Sequence, residues 1–414
     1  MSCSLCRLPF TPSTHSVAPR WPPQGVLTDK QLLYMKHAFG VGQYVFGLAV
    51  DLVNMDNNNF IINNSPMIVN IVWETAGKTF IAFHPHCAII LRHHLGYSDN
   101  APQNFIELAL LEQIVGPTMD GVHAGRLKDI NYETVLGGGD QKRVDIESLW
   151  SKEGDERPDF DWLTWQRRGL DWTAVRPDVF PRFRPKVAPT RISSLGPIPK
   201  STEDIITTQP LDILHVLLPY LDPRSFVSLM STCRTLRHHA LTTFQSQART
   251  QVLRLGWAVP TKMEYAGFVK RNPPASSPPT PTTPTSTQEP GKAPGEASPG
   301  PAKTAPTNAP DLSLVTMAHA KHSPVDGDWY LYLSQVHRTQ AMRSRRWVWA
   351  LAEELTRVYR KKRAEGPYED VVDADGERTK SPAWMEFAKM VKEQLAMRAM
   401  ITAPTGPNGK AMSW

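Results

Sequence analysis

The sequence predicts an α+β protein. It should contain a small N-terminal mixed α/β domain, a central trio of helices, a proline-rich linker and a C-terminal helical region. Three observations predict this class. β-branched and aromatic runs stand beside helical periodicity before residue 150, leucines recur at helical spacing near mid-chain, and prolines concentrate after residue 272. At 414 residues, the chain is long enough for two or three domains.

Composition indicates a folded intracellular protein with one open segment. Apolar residues make up 41% of the chain, and the net charge of +6 is too small to require a nucleic-acid partner. Four cysteines cannot form a disulfide framework in a chain of this length, and no secretory leader is recognised. We therefore expect a cytoplasmic or nuclear protein. The longest apolar run is too short to span a membrane, so no membrane association is predicted.

The N-terminal domain, residues 1–150, is predicted to combine a hairpin with helices. The runs Met67–Trp73 and Thr79–Phe83 have strand composition and are separated by a glycine-containing loop, which predicts that they pair. Apolar residues at helical spacing then predict helices over His86–Leu95 and Asn104–Val115, each followed by a glycine.

Four residues of this domain form a candidate zinc site. Cys3 and Cys6 make a CxxC pair that resembles a zinc knuckle, while His84 and Cys87 stand three apart where the hairpin leads into a helix. Three thiolates and one imidazole form a tetrahedral, treble-clef-like set that zinc prefers. Three further histidines are rival ligands: His86, His93 and His94. In the alternative interpretation, Cys87 is a small buried hydrophobe and the first cysteines lie in a loose terminus.

Residues 151–200 are predicted to form an irregular strap rich in tryptophan and proline. Trp162, Trp165 and Trp172 recur there among charged residues without a clear period. Because each indole has a large apolar surface, we expect these side chains to pack against neighbouring domains rather than bind a ligand.

Residues 201–272 contain the central trio of helices. The first helix should begin at Pro210 and place leucines on one stripe: Leu211, Leu214, Leu217, Leu218 and Leu221. Asp222 is a natural N-cap for a second helix that begins at Pro223, and a third should begin near Ser231. Helices this short cannot hide all their apolar surface from one another, so a partner surface is expected.

The order and spacing of these residues resemble the F-box, the module by which substrate receptors of SCF-type cullin-RING ubiquitin ligases dock on a Skp-type adaptor. The opening of the family motif matches Pro210, Asp212, Ile213 and Leu214. Its core matches Leu217, Leu218, Tyr220, Leu221, Asp222 and Pro223, and its end matches Leu229, Cys233 and Arg234. The whole layout is similar to that of fungal F-box proteins.

The resemblance implies a substrate receptor that binds the adaptor, and through it a cullin, and recruits a protein target for ubiquitination. It assigns adaptor binding to five residues: Pro210, Leu214, Leu217, Leu221 and Leu229. The chain departs from the family at Gln209, at Leu236 and at Pro219, which lies inside the first helix and should kink or tighten it. The alternative interpretation, in which the leucines are the core of an internal helical bundle, stays open.

Residues 273–312 are predicted to be a disordered linker. Twelve prolines lie between residues 273 and 310 without one aromatic residue, and such a segment buries too little apolar surface to offset its ordering entropy. The tail, residues 401–414, is also predicted to be disordered.

Residues 313–400 are predicted to be helical, with one long helix over Asp328–Arg363 and a shorter one over Pro382–Met400. The long helix should keep a basic face in water: Arg338, Arg343, Arg345, Arg346, Arg357, Arg360, Lys361, Lys362 and Arg363. With Trp347, Trp349 and Tyr359 interleaved, this helix supports an alternative function in nucleic-acid binding. A zinc-stabilised scaffold without a ubiquitin role is a further alternative. No catalytic motif is found, so an enzyme is not predicted.

Overall fold

A computed structural model of the chain describes residues 2–11, 21–44, 47–56, 59–62, 68–70, 81–97, 102–116, 125–127, 129–133, 144–151, 159–198, 204–264, 327–372 and 376–402. Across these residues the fold is mixed α and β and mostly helical. The linker predicted at 273–312 lies outside the described residues, as does the predicted tail apart from residues 401 and 402, which end a helix.

A five-stranded antiparallel sheet lies in the N-terminal part of the chain. Its strands are β1 (His37–Tyr44), β2 (Gly47–Asp56), β3 (Asn59–Ile62), β4 (Ile68–Asn70) and β5 (Ile81–Phe83). They are arranged in the order β4-β3-β2-β1-β5. The predicted pairing of Met67–Trp73 with Thr79–Phe83 is therefore wrong. β4 pairs with β3, whereas β5 pairs with β1 at the opposite edge, with Phe39 opposite Phe83.

Three helices accompany the sheet: α1 (Asp29–Met35), α2 (Pro85–His94) and α3 (Pro102–Val115). The predictions of α2 and α3 are confirmed to within a few residues at each end. Thr28 and Gln31 cap the start of α1 reciprocally, through side-chain bonds to each other's backbone N–H. Gly96 follows α2 with a φ of +89°, a left-handed conformation that glycine adopts without steric cost, so the chain turns away there.

The described residues of the strap contain two short α-helices, α4 (Trp162–Arg167) and α5 (Pro189–Ser193), and a 3-10 helix over Asp171–Ala174, among turns. Its tryptophans are buried as predicted, since none of Trp162, Trp165 and Trp172 is more than 3% exposed. Trp172 meets the edge of Trp347 at a centroid separation of 5.8 Å, so the strap packs against the C-terminal helical region.

The central trio consists of α6 (Leu211–Leu217), α7 (Pro223–Ser231) and α8 (Arg234–Thr242), and it is followed by α9 (Gln245–Arg254). The expected effect of Pro219 is confirmed: α6 ends at Leu217 and continues as a tighter 3-10 turn over Leu218–Tyr220. Asp222 caps α7 by accepting hydrogen bonds from the N–H groups of Arg224 and Ser225. α8 begins three residues later than predicted, because Cys233 occupies its N-cap with an extended backbone.

The C-terminal helices are α10 (Trp329–Val336), α11 (Gln340–Glu365) and α12 (Pro382–Thr402). The single long helix predicted over Asp328–Arg363 is wrong, because the chain leaves helical geometry at Thr339. The break has a packing reason. α10 buries its apolar side chains in one hydrophobic cluster, whereas most of α11 is buried in another.

The buried side chains among the described residues form two hydrophobic clusters, and each combines distant parts of the chain. The first cluster joins side chains between Cys3 and Ala174 to others between Trp347 and Val391. The second joins side chains between Phe183 and Ala258 to others between Trp329 and Met342. The C-terminal region therefore completes both cores, and α11 runs from the second cluster into the first.

Arg345 lies on α11 near the meeting point of the two clusters. Its side chain was predicted to be in water, but it is fully buried. The guanidinium donates two hydrogen bonds to Glu264, with N···O distances of 2.6 and 2.9 Å. Three more go to carbonyl oxygens, those of Trp257, Pro177 and Val259. The prediction failed because these partners lie more than 80 residues away in sequence.

Candidate metal centre and docking surface

Cys3, Cys6, His84 and Cys87 converge into one buried cluster that could hold a metal ion. Their ligand atoms all lie within 4.8 Å of one another. None of the four side chains is more than 2% exposed. The four residues predicted from the sequence are therefore brought together, although 78 positions separate Cys6 from His84.

A tight turn at the N-terminus presents the two cysteines of the CxxC pair. The Cys3 N–H donates to the Leu8 carbonyl, and the Arg7 N–H donates back to the Cys3 carbonyl. Backbone bonding fixes this turn to the edge of the sheet, because the Ser4 N–H donates to the Ala82 carbonyl at 2.7 Å. The turn therefore lies beside β5, and the cysteine pair faces the residues that follow that strand.

The start of α2 presents the other two ligands. His84 is the N-cap of α2, and Pro85 fixes the first helical residue, so Cys87 falls on the first turn. The His84 N–H donates to Cys3 Sγ at 3.4 Å, and His84 Nδ1 lies 3.3 Å from Cys6 Sγ. A short loop between strand and helix therefore delivers a nitrogen and a sulfur to the same point.

Two aromatic rings fix the plane of the His84 imidazole. Tyr34 stacks on it at 5.2 Å with an interplanar angle of 29°, and Phe10 lies 4.7 Å away on a tilted plane. Nδ1 consequently faces the cysteines, while Nε2 is buried and has no hydrogen-bond partner within the described part of the chain. The sequence did not reveal this pair, because neither ring lies near His84 in sequence.

The electrostatics of the cluster favour a cation. Burial alone would raise the pKa of Cys3, but hydrogen bonds from Cys6 and Cys87 and the charge of His84 outweigh it and lower that pKa well below its usual value. Burial and the Cys3 thiolate raise the pKa of Cys6, while hydrogen bonding to Cys3 and Cys6 raises that of Cys87. One thiolate therefore forms readily, and a bound cation is needed to stabilise three.

The donor set suits zinc in number, type and spacing. A tetrahedral site with Zn–S bonds of about 2.3 Å separates its sulfurs by about 3.8 Å, so only a small contraction is required. The rival histidines lie outside the cluster: His86 faces Asp178 at 3.4 Å, and His93 and His94 pack against Trp349. These residues would hold the ion in a closed site without an open coordination position.

Arg7 directly follows the cysteine pair and connects the N-terminal turn to the rest of the domain. Its φ is +61°, and its side chain is fully buried. Nε donates to Glu147 Oε1 at 2.6 Å, and the guanidinium lies over the Trp150 ring at 5.2 Å. The Trp150 indole N–H donates back to the Arg7 carbonyl. The turn is therefore locked to the segment where the strap begins.

The first helix of the trio is apolar on two faces. Leu214 and Leu218 are buried in the second hydrophobic cluster, with exposures of 4% and 0%. On the opposite side of α6 and of the 3-10 turn that follows it, large apolar side chains at i, i+3, i+4 and i+7 are exposed: Ile213 45%, Val216 63%, Leu217 54% and Tyr220 85%. We call these four residues the α6 face. The helical spacing of these residues could be read from the sequence, but the side of the helix that faces the solvent could not.

The five residues that the F-box resemblance assigned to adaptor binding do not share one environment. Pro210 and Leu217 are exposed, and Leu221 and Leu229 are half-buried at the edge of the second cluster. Leu214 is buried within the chain, where it supports α6 from inside.

The aromatic residues of the basic helix are mostly inaccessible. Trp347 and Tyr359 are 0% and 3% exposed, and Trp349 is half-buried between the two clusters. Glu107 accepts hydrogen bonds from Tyr359 Oη at 3.0 Å and from Arg363 at 2.9 Å. These side chains fix α11 to the N-terminal domain and are not available for stacking on bases.

Among the helices that the structure describes, none combines the length and the hydrophobicity that crossing a membrane requires. No protein-family model matches the chain, and comparisons with curated proteins and with solved structures found no similar protein.

Proposed function

We propose that this chain is a non-enzymatic substrate receptor of an SCF-type ubiquitin ligase. In this proposal the α6 face docks on a Skp-type adaptor, and other surfaces of the chain hold a protein target. The observation that carries the proposal is the double apolar face of α6, with one side buried in the chain and the other in water. The F-box resemblance of residues 210–240 supports the identity of the partner.

The energetics favour a protein partner for this face. Burying a large apolar side chain completely contributes about 1.5–3 kcal/mol, and roughly half or more of that remains to be gained at each residue of the α6 face. Four such side chains, close together on one helical stripe, would contribute several kcal/mol on docking. Leu221 and Leu229 border the same helices and would extend the contact.

We assign adaptor docking and target binding to different hydrophobic clusters. The trio belongs to the second cluster, whereas the metal centre, the sheet and the strap tryptophans belong to the first. A target held on the first cluster's surface would thus stand at a fixed position relative to the adaptor. Ubiquitin transfer would be performed by other subunits of the ligase.

Co-purification of the full chain with a recombinant Skp-type adaptor tests the proposal. The variant Leu217→Asp should lose the adaptor, because it places a carboxylate within the contact. Leu163→Asp is the matched control, since Leu163 is 53% exposed on α4, far from the trio in sequence. Equal recovery of the adaptor with both variants would refute the assignment. An unchanged thermal unfolding midpoint would show that Leu217→Asp acts on docking rather than on folding.

We further propose that the four-residue cluster binds zinc in a structural role. Elemental analysis of protein purified without chelator should give one equivalent of zinc. The variant Cys87→Ser should give much less, and Cys233→Ser, a cysteine outside the cluster, should give the wild-type amount. Less than a tenth of an equivalent in the wild type would refute this assignment. Zinc without adaptor binding would instead favour the scaffold alternative.

Nucleic-acid binding through α11 is the weaker alternative, because the aromatic side chains that would stack on bases are buried or half-buried. An affinity for RNA or DNA that falls steeply with salt would favour that alternative over adaptor docking.

A further inference from the structure

The helix that carries the α6 face has little support of its own. α6 has seven residues, and the 3-10 turn that continues it over Leu218–Tyr220 adds three. Helices this short are marginal in isolation. Pro219 has no N–H group to donate, and the last carbonyl groups of a helix have no partner within it. The position of the α6 face must therefore be fixed by other parts of the chain.

The helix α9 bonds to α6 and to the 3-10 turn through side chains on one of its faces. These side chains recur at i, i+4 and i+7: Gln247, Gln251 and Arg254. Gln247 Nε2 lies 2.6 Å from His215 Nδ1, and since an amide nitrogen donates and does not accept, the imidazole is the acceptor. The same ring meets the edge of the Phe244 ring at 5.0 Å. The middle of α6 is therefore attached to the start of α9.

The end of the 3-10 turn is attached to α9 by two backbone acceptors. Gln251 Nε2 donates to the Leu221 carbonyl at 2.9 Å, and Arg254 Nη1 donates to the Pro219 carbonyl at 3.0 Å. These two carbonyls flank Tyr220, the most exposed member of the α6 face. Gln251 itself is 3% exposed. The backbone on both sides of Tyr220 is therefore held by α9, while the ring points into solvent.

α9 is itself part of the second hydrophobic cluster. Ala248 and Val252 are fully buried there. Gln245, at the start of α9, donates from Nε2 to the Ala240 carbonyl of α8 at 2.9 Å and accepts from the Tyr330 N–H of α10 at 3.1 Å. The side chains that hold the α6 face thus project from a helix that is fixed between α8 and α10.

We propose that α9 positions the α6 face for docking, with Gln251 as the central positioning residue and Gln247 and Arg254 on either side of it. This inference rests on the proposed docking of that face on the adaptor. The F-box resemblance ends at residue 240, so the motif does not include α9. A face that is already held in its docking conformation loses less conformational entropy when the partner binds. Because Gln251 is buried, it acts on docking through the turn and not through contact with the adaptor.

Two measurements on the full chain test this role: hydrogen exchange of the free protein, and the Kd for a recombinant Skp-type adaptor by surface plasmon resonance. Gln251→Met has a similar volume but no donor. Amide exchange over residues 215–221 should become about fivefold faster and adaptor binding about fivefold weaker, as expected for one lost hydrogen bond. Arg254→Ala should act in the same direction, and Arg254→Lys, which retains a donor, should restore both values.

Thr250→Ala is the matched control, since Thr250 is exposed on α9 and its hydroxyl donates to the Ser246 carbonyl of the same helix. Arg254 is exposed as well, so Arg254→Ala should keep the thermal unfolding midpoint, and the test stays valid if Gln251→Met disturbs folding. Faster exchange with an unchanged Kd, or equal effects of Thr250→Ala and Arg254→Ala, would overturn the proposal. Unchanged exchange in both Gln251→Met and Arg254→Ala would overturn it too. A wild-type chain that does not bind the adaptor would instead refute the proposed function.

Discussion

Replacing Arg345 by methionine should destabilise the protein strongly. The guanidinium is fully buried, and Glu264, its ion-pair partner, is 8% exposed. Methionine has a similar volume but no donor, so Glu264 would become an uncompensated buried carboxylate, and three carbonyl oxygens would lose their hydrogen bonds. Removing one member of a buried ion pair typically costs about 3–5 kcal/mol. We expect a loss in this range from the free energy of unfolding.

Urea denaturation followed by tryptophan fluorescence measures this loss, since buried indoles lie in both hydrophobic clusters. Arg357→Met is the control on the same helix, and it should cause no measurable change because that side chain is exposed. The double variant Arg345→Met with Glu264→Gln should recover part of the stability, because a neutral amide is less costly to bury than an unpaired carboxylate. Equal effects of Arg345→Met and Arg357→Met would show that Arg345 is solvated.

Three further predictions concern the metal centre, a buried histidine and the trio. Cys87→Ala should lower the thermal unfolding midpoint and make it insensitive to a chelator, whereas Cys233→Ala should keep the chelator effect seen in the wild type. Burial lowers the pKa of His94 from 6.5 to about 4, so the unfolded chain takes up more protons as the pH falls through this interval. The wild type should therefore lose stability between pH 6.5 and 4, and His94→Asn should lose less in the same denaturation series. Leu218→Ala should cost about 2–5 kcal/mol because the side chain is buried, while Leu217→Ala should cost much less, as measured by urea denaturation.

The sequence was informative where the chemistry is local. The four candidate metal ligands were recognised because the type and spacing of a CxxC pair and a histidine–cysteine pair restrict what they can bind. Asp222 and Pro223 predicted the start of α7, and Pro219 predicted the tightened turn before it, since each acts through its own backbone geometry.

The failures share a long-range cause. The runs that contain β4 and β5 are neighbours in sequence, but β5 pairs with β1 and β4 pairs with β3, at opposite edges of the sheet. Arg345 was assigned to the solvent-exposed basic face of the helix, because the residues within one helical turn of it do not indicate a buried partner 81 residues away. The break before α11 was missed for the same reason. The helical periodicity continues through it, but the apolar side chains before and after the break pack into different hydrophobic clusters.

The passage of α11 through both hydrophobic clusters limits how this protein can be dissected. A fragment that stops before residue 327 would keep the sheet, the strap and the trio. Without α10, α11 and α12, however, both hydrophobic clusters would expose apolar side chains to solvent. An isolated C-terminal fragment would expose the apolar side chains that normally pack into the two hydrophobic clusters. Attempts to isolate the trio or the metal-bearing part alone should therefore yield aggregates, and supplying the missing half in trans is the natural remedy.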